Sequence, residues 1–290
     1  VDGRHRCCDD TQEDTMTGTG ERSATGPTPQ GDAWRAAGAA WGHAAADWAF
    51  LFEPYARDAI EAVFSYSAVG SGTRLLDVAC GSGIALGRAE RLGADVAGID
   101  ASDALLAIAA RRATSAELVL GSMFELPWGD ATFDVVTSFN GVWGGSDGAV
   151  AEMARVLRPG GIAAFTFWGP GRSLDLRDFF KLLGSSAPQV REELVDTARI
   201  GDPGEAERML DVAGLDVVAR GTTKARFEWP DADIAWRALR SPGVVVPALE
   251  AVGEDHLRER VLEAVARFRA PDGSYVLANE LVHVIGRRRR

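Results

Sequence analysis

The sequence predicts an α/β fold, doubly wound around a mostly parallel sheet. Three observations carry that reading. An apolar run, Leu75-Leu76-Asp77-Val78-Ala79, stops at Cys80-Gly81-Ser82-Gly83 and gives way to a helix-forming stretch from Ile84. A second apolar run, Val96-Ala97-Gly98-Ile99, follows and ends in an acid, Asp100. Strand, glycine turn, helix, strand, acid is how such a sheet holds a nucleoside, because glycine lets the backbone approach the ligand closely. Strand and helix patterns then keep alternating as far as Phe167, as parallel strands joined by crossover helices require.

The chain of 290 residues is 46% hydrophobic and 25% charged, which suits one large globular domain or two small ones. Its net charge of −11 argues against a nucleic-acid surface, which rests on basic patches. The one basic block, Arg287-Arg288-Arg289-Arg290, reads as a solvated tail. The cysteines (Cys7, Cys8, Cys80) and histidines (His5, His43, His256, His283) have neither disulfide-framework nor zinc spacing, so no metal is expected. No apolar run reaches the ~20 residues that span a bilayer, and no secretory-type segment opens the chain. A cytoplasmic protein without membrane partners is expected, with Met16 a candidate natural start.

Taken in order, residues 1–31 are rich in Gly, Thr, Asp, Ser and Pro and read as a disordered tail. Residues 32–68 read as a helical cap. Trp34, Trp41 and Trp48 lie seven apart, one face of a helix, and Pro54 divides the region into helices over 32–52 and 54–67. Residues 69–170 form the nucleoside-binding core, with strands over 74–79, 95–99, 117–120, 133–139 and 162–167 and helices over 84–92, 102–113 and 149–157. Arg158-Pro159-Gly160-Gly161 stops the last of these helices. Residues 171–290 read as a helical insertion and the completion of the sheet. Helices are expected over 173–185, 203–213 (Asp202 as N-cap, Pro203 at the first position, Gly214 beyond the end), 231–239 and 247–268. Strands are expected over 215–219, 225–229 and 274–284.

Two features separate the candidate nucleosides. A dinucleotide turn wants a small residue three after its second glycine, and Leu86 stands there. Asp77 lies inside the first strand, where a carboxylate would repel a pyrophosphate but favour the ammonium and sulfonium of S-adenosylmethionine.

Leu75–Gly83 resembles motif I of the class I S-adenosylmethionine-dependent methyltransferases. The likeness continues through Asp100, through Gly121-Ser122-Met123-Phe124-Glu125-Leu126-Pro127-Trp128, Phe133-Asp134-Val135-Val136 and Met153–Gly161. Over about 72–168 the chain is similar to the small-molecule methyltransferases of ubiquinone and menaquinone biosynthesis. The resemblance implies a seven-stranded, Rossmann-like sheet, S-adenosylmethionine as cofactor, and methylation of a small molecule; the tryptophans outside the core point to an aromatic or prenylated metabolite, and the Ala/Gly/Arg-rich composition to bacterial secondary metabolism. The resemblance also implies cofactor contacts at Asp77, Ala79, Gly81, Gly83, Asp100, Ala101, Ser122, Met123, Asn140 and Gly141, with Asp100 on the ribose hydroxyls and Ser122 and Met123 beside the adenine. Ser122 departs from the family's usual Asp, and a hydroxyl can still accept one bond there.

The acceptor is less legible. Methyl transfer is an in-line displacement that needs alignment and exclusion of water more than a base. Asn140-Gly141-Val142-Trp143 lacks the Asn/Asp-Pro-Pro-aromatic segment of base and amide methylation. The tryptophans, Trp128 apart, lie in the cap, after the fourth strand and after the fifth; Trp41, Trp143 and Trp168 are the candidates for an aromatic acceptor pocket. His43 and Tyr55 are the candidate proton acceptors. Three other readings stand beside this one: a non-catalytic S-adenosylmethionine-binding partner protein, methylation of an alkene carbon with a cationic rearrangement, and a nicotinamide-dependent oxidoreductase. The aromatic N-terminal helix is also a candidate surface for pairing with a second copy.

Overall fold

The computed structural model describes residues 33–186, 194–195 and 198–290. The tail expected over 1–31 and the start of the cap at Asp32 lie outside the described residues. Seven strands form one sheet: β1 (Arg74–Val78), β2 (Asp95–Asp100), β3 (Glu117–Leu120), β4 (Phe133–Phe139), β5 (Leu157–Trp168), β6 (Leu215–Trp229) and β7 (Tyr275–Arg288). Their spatial order is β3-β2-β1-β4-β5-β7-β6. The first five run parallel, and β7 enters antiparallel between β5 and β6. The chain order reverses beside β1, between β2 and β4, where doubly wound sheets bind ligands at the carboxyl ends of their strands.

Successive residues of a strand point to opposite faces. Leu75 accordingly joins an apolar layer with the cap and the C-terminal helices, whereas Leu76 and Val78 join a second layer on the other face. Both layers are covered by helices, so β1 reads as an uninterrupted apolar run apart from Asp77. The helices of the nucleotide unit are α3 (Ile84–Arg91), α4 (Asp103–Arg112) and α5 (Asp147–Val156), within two residues of expectation. Ser102 caps α4, its hydroxyl accepting from the Leu105 N–H.

The cap departs from two continuous helices. It begins with α1 (Ala33–Gly42), continues through a short turn (Ala45–Asp47), a wide helical turn (Trp48–Phe52) and a tight one (Glu53–Ala56), and ends in α2 (Arg57–Tyr66). Pro54 has no N–H to return to the preceding turn, so the wide turn gives way there. Gly42 ends α1 where a side chain would press on the Ser102 hydroxyl.

Beyond β5 the structure corrects several sequence expectations. The helix expected over 173–185 is α6 (Arg177–Ser186). The next helix, α7 (Glu205–Val212), starts after Gly204, which takes a φ of 81°; Asp202 offers its backbone carbonyl rather than its side chain to Glu205. The two strands expected at 215–219 and 225–229 are one strand, because β7 pairs with the Gly/Thr-rich stretch between them too. The helix expected over 231–239 is α8 (Ala232–Arg240), capped by the Asp231 side chain, which accepts the Ile234 N–H. The long helix expected over 247–268 is α9 (Val246–Val252) and α10 (Glu254–Ala264), parted by Gly253 at a φ of 80°. No helix among the described residues is long and apolar enough to cross a membrane.

Candidate active site

At the carboxyl end of β1 the chain takes left-handed backbone angles at Ala79 (φ 56°), Gly81 (φ 55°) and Gly83 (φ 75°). Such angles cost little for glycine but about 1 kcal/mol or more for alanine. A strained alanine beside two glycines marks a turn held for a purpose. Gly83 is also needed for packing, since a Cβ there would lie 2.8 Å from the Ala109 Cβ on α4. Gly141 lets the loop after β4 lie on the turn: its Cβ would stand 2.5 Å from that of Ala79.

Three carboxyls surround the turn. Asp100, 9% exposed at the end of β2, accepts the N–H groups of Gly81 and Ser102, each at 2.8 Å. Asp77, 2% exposed, accepts the Thr137 hydroxyl at 2.7 Å. Burial pushes its pKa up to about 8 against the hydrogen bond from Thr137, with the charges of Glu53 and Asp100 adding to the rise. Glu53, from the cap, accepts the Ser82 N–H at 3.1 Å, the Ser82 hydroxyl, and the Arg112 guanidinium at 2.7 Å. Burial raises the pKa of Glu53 and of Asp100 as well. Arg112 also donates to the Ala49 carbonyl at 2.7 Å, so cap and turn are fastened together by one half-buried cation.

Residues 76–165 match the family described as the methyltransferase domain. Demethylmenaquinone methyltransferase of Staphylococcus aureus (strain JH9) is 43% identical over 102 residues, which make up 32% of this chain and 42% of that relative. The chain therefore matches less than half the length of such curated relatives. A provisionally named methyltransferase of Bacillus halodurans C-125 shares the fold with a TM-score of 0.55 at 17% identity, covering 80% of this chain and 99% of its own. So does the [4+2]-cyclase SpnF, with a TM-score of 0.51 at 18% identity over 80% of this chain and 81% of its own. Residues 76–165 are thus similar to a methyltransferase domain, set in the fold that these solved structures share.

The methyltransferase domain fits its cofactor on its own geometry. Of the three buried carboxyls around the turn, Glu53 is paired with the Arg112 guanidinium while Asp77 and Asp100 are held by neutral donors, an arrangement that suits a ligand carrying an ammonium and a sulfonium. The turn leaves backbone exposed where any side chain at position 81 would meet Glu53 Oε1 at 2.9 Å.

The remaining residues expected at the site fall into several groups. Ala101 follows Asp100 and supports α1, whose Gly38 leaves no room for a side chain above the Ala101 carbonyl. The Ser122 hydroxyl accepts the Phe124 N–H at 3.2 Å, and Met123 packs in the same apolar layer as Leu126 and Trp128. Asn140 (φ 59°) donates from Nδ2 to the Tyr55 hydroxyl at 2.8 Å. Its backbone N–H donates to Thr166, and the Thr166 hydroxyl donates to its Oδ1, both at 3.0 Å. Tyr55 is buried, and burial raises its phenol, against the hydrogen bond from Asn140. Tyr55 stacks on Trp168 at 4.8 Å, so these two expected residues meet.

Trp41 connects to Tyr55 through Trp48, and Trp143 packs on the other face of the sheet. Trp41 stands edge-on to Trp48 at 4.9 Å and presses on Gly243. Trp143 stands edge-on to Phe124 at 6.0 Å, in the second apolar layer. Exposed His43 faces backbone carbonyls with both ring nitrogens, Nδ1 toward Ala40 at 2.7 Å and Nε2 toward Arg240 at 3.0 Å. It ties the cap to the end of α8. Glu53, Arg112, Thr137 and Thr166 escaped the sequence reading. Only Glu53 carried a signal, as a lone acid in the aromatic run Phe50-Leu51-Phe52-Glu53-Pro54-Tyr55.

Proposed function

We propose that the chain transfers the methyl group of S-adenosylmethionine to a small, flat and largely apolar metabolite, aromatic or prenylated. The observation that carries this reading is the aromatic wall running from the cap across β5 and β6. Tyr55 lies between Trp168 (4.8 Å), Phe52 (5.5 Å) and Phe227 (5.6 Å), and Trp168 continues to Phe180 at 6.0 Å. Such faces suit a planar apolar ligand. A cleft of about 330 Å³ borders this wall, lined among others by Phe50, Phe52, Tyr55, Phe227 and Trp229. The name of the staphylococcal relative, a demethylmenaquinone methyltransferase, is in keeping with an acceptor of this kind.

The cofactor, when bound, supplies a methyl group already activated by a sulfonium. The chain's part is to align the partners and exclude water. Asp77 and Asp100 orient the cofactor by charge and hydrogen bonding. The Asn140–Thr166 pair fixes the Tyr55 oxygen, and the raised phenol keeps its proton at neutral pH. That proton is not used in the bond from Asn140, so Tyr55 donates toward the acceptor rather than serving as a base. The test is methyl transfer from labelled S-adenosylmethionine to a panel of quinols, phenols and prenylated metabolites. Labelled product is expected from a flat apolar acceptor. Tight cofactor binding with no transfer to any of them would favour the non-catalytic reading.

A further inference from the structure

We propose that the Trp48 indole N–H recognises the carboxylate at the methionine end of S-adenosylmethionine, making the cap part of the cofactor site. Trp48 is 9% exposed, and its Nε1 is fully buried with no hydrogen-bond partner among the described residues. A buried donor left unpaired is expensive, and native structures rarely leave one without a reason. This one lies beside the glycine turn: Nε1 is 3.8 Å from where a Cβ on Gly81 would stand.

The neighbouring carboxylate does not need it. Glu53 already accepts from the Ser82 N–H, the Ser82 hydroxyl and Arg112. Those bonds draw its charge toward Ser82 and the guanidinium. The ring is held in place, with Phe52 stacked at 5.2 Å and Trp41 edge-on at 4.9 Å, so the N–H keeps its aim. An indole N–H can only donate. Its complement must be an acceptor, which excludes the ligand's ammonium. Asp100, which accepts the Gly81 N–H, takes the ribose side of the turn, and Glu53, which accepts the Ser82 N–H, takes the other. On that side the cofactor's acceptor is its carboxylate.

The inference rests on the cofactor assignment, and its test separates the two. Equilibrium binding of S-adenosylmethionine and of its decarboxylated analogue is measured by calorimetry for the wild type and Trp48→Phe, which keeps the ring and removes the donor. Trp48→Phe should weaken S-adenosylmethionine about tenfold, the scale of one hydrogen bond to a charged group, and leave the decarboxylated analogue unchanged. Unchanged binding of the analogue also reports that the variant folds. In the wild type, the Trp48 indole proton resonance should move downfield with S-adenosylmethionine and not with the analogue. Equal weakening of both ligands would place the N–H on the adenosine and overturn the assignment, as would an unmoved indole resonance. Failure of the wild type to bind either ligand would instead overturn the cofactor assignment.

Discussion

Replacing Asp77 by asparagine is expected to move stability and cofactor affinity in opposite directions. In the cofactor-free protein the Asp77 carboxyl has a pKa of about 8, against 3.8 for the ordinary side chain. Between those values the folded state holds a proton that the unfolded state has released. Stability from this group is therefore full below about pH 4 and is lost as pH rises through 8, at about 1.4 kcal/mol per pH unit. From pH 5 to pH 8 the loss reaches at most about 4 kcal/mol. Asparagine keeps an oxygen for the Thr137 hydroxyl and has no proton to lose, so Asp77→Asn should escape that decline. Urea unfolding without cofactor at pH 5 and pH 8 should show the variant gaining on the wild type as pH rises. On the proposed cofactor placement the same substitution removes a charge set against the ammonium and sulfonium, so S-adenosylmethionine should bind at least tenfold more weakly. Wild-type affinity should also increase toward pH 8, as binding no longer has to displace the proton. A variant that follows the wild-type stability profile, or binds the cofactor equally well, would refute the reasoning.

Asp100→Ala should weaken S-adenosylmethionine at least tenfold by calorimetry. It removes the group assigned to the ribose and strips the acceptor from the Gly81 and Ser102 N–H groups, at about 1–3 kcal/mol for each donor left buried. Gly141→Ala sets a methyl 2.5 Å from the Ala79 Cβ and should cost about 1–3 kcal/mol of stability, read as a lowered thermal midpoint. His43→Ala should leave the pH dependence of turnover unchanged and lower stability by about 1 kcal/mol, because the ring nitrogens face only backbone carbonyls, one of which a single ring N–H bonds. A lost acidic limb in that profile would return His43 to the chemistry as a proton acceptor.

The turn from β1 into α3 and the acid at the end of β2 were legible because their signals are local. A glycine that must take a positive φ, an apolar run cut short and a hydroxyl that caps α4 all act within a few residues. Strand identities were legible for the same reason, since the alternation that puts Leu75 and Leu76 in different layers is written into neighbouring positions. Where local preference was weak, tertiary pairing overruled it. Gly221, Thr222 and Thr223 look like a break, yet each pairs along β7.

By itself, then, the sequence determined the five parallel strands, the glycine turn and the places of Asp77 and Asp100 beside it, which depend on backbone conformations encoded over short distances. Only the tertiary structure decided which distant side chains meet there. Glu53 reaches Ser82 and Arg112 across 29 and 59 residues of chain, and Asn140 reaches Tyr55 across 85. Those contacts follow from how the cap settles on the sheet. The same settling leaves the Trp48 N–H without a partner beside Gly81, which no periodicity in the chain foretells.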